Sequence, residues 1–66
     1  MQKIRELIAN LKKADFYEIS GAGKGAHRKY THNDYYGAVT ISGSLGDDAK
    51  PYQEKQVKQA IEEIKS

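Results

Sequence analysis

AHRKYTHNDYYGAVTIS, residues 26–42, decides the fold. Its two ends, residues 26–31 and 38–42, are rich in aromatic and β-branched side chains and alternate in polarity, the pattern of half-buried strands. Between them, His32-Asn33-Asp34 has turn chemistry and Gly37 supplies the freedom to end the connection. This is an antiparallel hairpin. Upstream, residues 16–20 suit a further short strand, and the glycine-rich run from Gly21 to Gly25 breaks regular structure before the hairpin begins. The expectation is a three-stranded meander.

Helices flank it. Ile4, Leu7, Ile8 and Leu11 recur at i, i+3, i+4 and i+7, with Ala14 extending the stripe, while Lys3, Arg5, Glu6, Asn10, Lys12 and Lys13 take the other face. After a polar loop over residues 43–50, Pro51 is suited to the first position of a helix, where its missing N–H leaves no bond unmade. Val57, Ala60, Ile61 and Ile64 then repeat the helical spacing. The order is α-β-β-β-α, an α+β fold. Two apolar helix stripes and one apolar sheet face bury best against each other, so both helices pack on one face of a three-stranded antiparallel sheet and the other face meets solvent.

At 66 residues the chain is expected to form a single domain, residues 1–66, too small to enclose a substrate. The absence of cysteine excludes disulfides, thiolate nucleophiles and Cys-based zinc sites, and suits a reducing cytoplasm. The opening MQKIRELIANLKK is charged throughout, unlike a signal peptide or membrane span. A net charge of +2 is modest but unevenly placed. No acid lies between Glu18 and Asp34, where Lys24, Arg28 and Lys29 sit with His27 and His32, and no lysine or arginine lies from Asp34 to Ala49. Such a local patch suits an anionic partner; a solvated, basic turn is the competing reading.

Strand parity sorts these residues. Ala26, Arg28, Tyr30 and His32 share one face, and His27, Lys29 and Thr31 share the other. With Ala26 and Tyr30 toward the helices, His27 and Lys29 project from the open face, near Thr40 if the hairpin register is simple. A histidine there reaches a large polyanion without a pocket. Other motifs fail on context. Gly21-Ala22-Gly23-Lys24-Gly25-Ala26 imitates a dinucleotide fingerprint, but a strand follows it where a helix N-terminus is needed. Asp47-Asp48 is a weak cation signal better explained as turn and helix-leading acids, and His27 and His32 lack companions for zinc. No metal or cofactor is expected.

The helix KIRELIANLKKADF, the Gly-x-His step Gly25-Ala26-His27 with Arg28-Lys29-Tyr30-Thr31-His32 after it, and Gly37-Ala38-Val39-Thr40-Ile41 leading to Gly43 and Asp47-Asp48 resemble the HicA (YcfA-like) toxins of type II toxin–antitoxin modules. The resemblance runs over essentially the whole chain. It implies a double-stranded-RNA-binding-like fold, ribosome-independent cleavage of mRNA by a cytoplasmic mRNA interferase, and neutralisation by a HicB-type antitoxin. By position it places the catalytic histidine at His27. The chain departs from the pattern at Ala26, where the family commonly has serine, and at Ser42, where it usually has proline.

The chemistry such an activity needs is small. RNA carries its own nucleophile, the 2′-hydroxyl, so an endoribonuclease requires a base for that proton, an acid for the leaving 5′-oxygen and cations around the phosphorus. A histidine, with an unperturbed pKa of about 6.5, serves either proton-transfer role near neutrality. Lys24, Arg28 and Lys29 are the candidates for phosphate, with Gly25 in the turn that admits the RNA backbone, and Arg28 reaching out from the core-facing side. Tyr30 reads as core. No second acid or base is evident; a phosphate oxygen, water or a lysine are the options. The alternatives are a non-catalytic RNA-binding module or a protein-interaction domain on the same fold. The free chain is expected to be a monomer.

Overall fold

The computed structural model describes residues 2–20 and 27–65. The chain runs α1 (Ile4–Lys13), β1 (Tyr17–Glu18), β2 (His27–Thr31), β3 (Val39–Ser42) and α2 (Pro51–Lys65). The strands form one antiparallel sheet in the order β1-β2-β3, the meander read from the sequence. This is the α+β, double-stranded-RNA-binding-like arrangement.

The core lies between the helices and one sheet face. Ile4, Leu7, Ile8 and Leu11 of α1 pack with Phe16, Tyr30, Val39, Ile41, Ala49, Val57 and Ala60. β2 and β3 contribute by alternation: in β3, Val39 and Ile41 are fully buried, while Thr40 between them is exposed. Tyr30 is likewise buried, with its hydroxyl pKa raised by desolvation and by the Glu18 carboxylate, against an opposing pull from Arg28. Ile61 and Ile64, expected in the stripe of α2, are only half-buried at the rim of the core.

Helix α1 stops by a specific device. Ala14 caps it and Asp15 follows with φ 71°, the left-handed conformation. The Asp15 amide donates to the Lys12 carbonyl at 3.0 Å and the Phe16 amide to the Leu11 carbonyl at 2.9 Å. That is the Schellman pattern, completed by the contact of buried Leu11 and Phe16. Because Phe16 is committed to this cap, β1 begins one residue later than the composition suggests and spans only Tyr17–Glu18. The pairing persists beyond it through the Ile19 amide, which donates to the Lys29 carbonyl at 2.8 Å.

At the other end of α1, the loop after β3 supplies partners for amides that lack intrahelical bonds. Ile4 N–H donates to the Asp47 carbonyl at 2.9 Å and Arg5 N–H to that of Leu45 at 3.1 Å. Lys3 pairs across a bridge with Asp48, and its ammonium reaches the Asp48 carboxylate at 2.7 Å. Asp47 Oδ2 accepts the Ser44 amide at 3.0 Å. Asp47 and Asp48 are therefore turn and loop-fastening acids, and no group of three or more metal-ligating side chains occurs among the described residues.

Candidate functional site

The register of β2 and β3 builds the site. His27 pairs with Ser42, Arg28 with Ile41, Lys29 with Thr40 and Tyr30 with Val39. Paired residues lie on the same side of a sheet, so His27, Ser42, Lys29 and Thr40 share the face away from the helices. His27, Lys29 and Thr40 are exposed. The expected neighbour of the histidine is thus refined: Thr40 lies opposite Lys29, while the residue across from His27 is Ser42.

His27 is oriented as well as exposed. Its Nδ1 is 2.9 Å from the Ser42 hydroxyl oxygen. With Nδ1 engaged, Nε2 is the nitrogen left to meet a ligand on the open face. Both roles asked of a catalytic imidazole need an Nδ1–H: neutral with Nε2 bare as a base, or doubly protonated as an acid. In each the Ser42 oxygen is the acceptor.

Ser42 is itself held from the core. Its carbonyl accepts a hydrogen bond from Gln53 Nε2 at 2.9 Å, and the same side chain's Oε1 accepts the Lys50 amide at 2.8 Å. Gln53 is buried in the first turn of α2, where it caps that helix behind Pro51. Immediately after Ser42 the chain turns at Gly43, with φ 116° and an added Cβ 3.4 Å from Ile4 Cγ1. That conformation favours glycine and directs the chain back toward α1.

The remaining site residues separate. Lys29 stands on the open face with His27. Arg28 is half-buried on the helical side, where its Nη1 donates to the Gly43 carbonyl at 3.4 Å, so it fastens the end of β3 and does not share the imidazole's face. Lys24 and Gly25, and with them Ala26, lie outside the described residues. His32 is on the helical side, its ring 5.3 Å from that of Phe16, with Nδ1 accepting the Asp34 amide at 2.9 Å. It is a structural histidine that shapes the turn.

Sequence reasoning missed Gln53 as a functional neighbour. A glutamine two residues after Pro51 carried the signal for a helix cap, but nothing in the local sequence links it to Ser42, eleven positions away.

A family model described as HicA toxin of bacterial toxin-antitoxin matches residues 4–64, all but the ends of the chain. No curated protein and no solved structure matches it.

Proposed function

The chain belongs to the HicA toxin family of bacterial toxin–antitoxin systems, and from that premise we propose that it is a ribosome-independent mRNA endoribonuclease with His27 as its proton-transfer group. The observation that carries the proposal is the exposed imidazole on the open sheet face, its Nδ1 engaged by the Ser42 hydroxyl, which leaves Nε2 for a ligand.

In this reading, single-stranded RNA lies along the open face. His27 Nε2 takes the proton of the 2′-hydroxyl, the 2′-oxygen bonds to phosphorus, and the bond to the 5′-oxygen breaks. The leaving oxygen takes a proton from water, and the products are a 2′,3′-cyclic phosphate and a 5′-hydroxyl. Lys29 stabilises charge on the phosphate, with Lys24 and Gly25 completing the backbone contacts. No metal is assigned a step, since the 2′-hydroxyl supplies the nucleophile and the Asp48 carboxylate is engaged by Lys3. A HicB-type antitoxin inhibits by covering the face that bears His27.

Incubating the purified chain with single-stranded RNA in EDTA, beside His27→Ala, tests this. The expected outcome is cleavage by the wild type and a loss of about 10²–10⁴-fold in the variant with RNA binding retained. Equal activity in the two would remove His27 from the mechanism. Cleavage only on adding Mg²⁺ would move attention to Asp47 and Asp48. The complex with antitoxin is expected to leave RNA intact.

A further inference from the structure

We infer that Tyr17 is a base-stacking platform at the far end of the same face, so that RNA bound at His27 is gripped by an aromatic ring as well as by cations. The inference rests on the endoribonuclease reading above and extends it from a cleavage point to a track.

The register carries it. Tyr17 pairs with Thr31 and Glu18 with Tyr30. Since Tyr30 is buried against the helices, Glu18 belongs to that side, and Tyr17 and Thr31 fall on the opposite one with Lys29 and His27. One face of the sheet therefore presents, in order along β2, an imidazole, an ammonium and a threonine with a tyrosine beside it. Tyr17 is 52% exposed. The ring pairs among the described residues join Phe16 to His32 and to Tyr35, and Tyr17 takes part in neither.

Its backbone is nonetheless firmly placed. Phe16, the preceding residue, is buried and completes the cap of α1, and the strand pairing continues past Glu18 through Ile19. A large, amphipathic ring on a hydrogen-bonded strand and about half exposed is suited to stack on a base, which presents an apolar face of similar size. Charge agrees: the acid next to Tyr17 is turned to the other side, and no acid occurs over residues 19–33.

The spacing fits one continuous strand. His27 to Thr31 covers roughly 13 Å at about 3.3 Å per residue. At about 3.4 Å per stacked nucleotide, that is at most about four nucleotides, fewer if the strand is extended. Stacking accepts every base, so Tyr17 sets affinity and footprint, not sequence preference.

The probe is a short, fluorescein-labelled single strand of 2′-O-methyl RNA, which lacks the nucleophile, read by anisotropy against an abasic strand of equal length. Tyr17→Ala should bind the base-bearing strand about 5- to 150-fold more weakly. Tyr17→Phe and Tyr17→Trp should bind it as the wild type does, and the abasic strand should not distinguish wild type from Tyr17→Ala. Matching circular dichroism and melting temperatures establish that the variants are folded. Binding by Tyr17→Ala within about twofold of wild type would overturn the inference, as would an equal loss in Tyr17→Phe. A loss of antitoxin binding with RNA binding intact would also overturn it, assigning the ring to the protein partner. If the wild type cleaves RNA and His27→Ala does not, while Tyr17→Ala has no effect, the endoribonuclease reading stands and only the platform falls. A wild type that neither binds nor cleaves RNA would remove both.

Discussion

The two faces of the sheet are made from alternate residues of the same short strands and obey opposite rules. Val39 and Ile41 have no exposed surface, whereas Thr40 and Ser42, interleaved with them, face away from the core. On β2, Tyr30 is buried and Lys29 beside it is exposed. One side is specified by volume and burial, the other by which groups are brought opposite each other. A four-residue strand therefore serves as both wall and work surface, and a change at one position should affect one role far more than the other.

The widest gap is expected between adjacent positions. Ile41→Ala should lower unfolding free energy by about 2–5 kcal/mol, enough to threaten folding in a domain this small. Thr40→Ala, its neighbour, should stay within about 0.5 kcal/mol. Urea titrations followed by circular dichroism compare them directly, and similar losses in both would break the division between faces.

Gln53→Leu probes a place where the division is bridged. It keeps the volume but leaves the part-buried Ser42 carbonyl and the Lys50 amide without their Gln53 partner, an expected cost of about 1 kcal/mol. Cleavage measured well below the melting temperature should fall too. Full activity in the folded variant would make Gln53 purely architectural.

Smaller again is Ser42→Ala. It removes the oxygen 2.9 Å from His27 Nδ1 while sparing the backbone. A neutral hydrogen bond of about 0.5–1.5 kcal/mol corresponds to a drop in kcat of about 2- to 10-fold, with stability and KM unchanged and recovery in Ser42→Thr.

The least effect is expected at the exposed loop clamp. The Lys3 ammonium, by hydrogen bond and charge, holds the Asp48 carboxyl below its ordinary value of 3.8. A depressed carboxyl stabilises the fold fully above its unfolded-state pKa and loses that contribution as pH falls through the folded-state value. Asp48→Asn should thus flatten the acid limb of a melting-temperature profile slightly, and salt should erase the difference, since both partners are exposed.

Most of the architecture was legible because it is written in periodicity. The stripe of Ile4, Leu7, Ile8 and Leu11, the alternation around Val39 and Ile41, and Pro51 at the start of α2 are local signals that tertiary contacts reinforce. The shortened β1 was not, because Phe16 serves two neighbours and the helix cap claims its amide. Parity alone put His27 on the open face. Its partner was hidden, since whether Ser42 or Thr40 faces the imidazole depends on a register set by the connection between strands, through Gly37 at φ 102°. Arg28 illustrates the limit of composition: it and Lys29 read as one patch, yet alternation sends them to opposite sides of the sheet.

Gln53 grips the backbone of the very residue whose hydroxyl meets the imidazole, so on the proposed reading catalytic strength would have a control point inside the protein. On the endoribonuclease reading, toxicity can be tuned from there while every exposed group remains as it was. A chain weakened at Gln53 would keep the surface its antitoxin recognises, and would act as a decoy, competing for antitoxin while cutting little RNA.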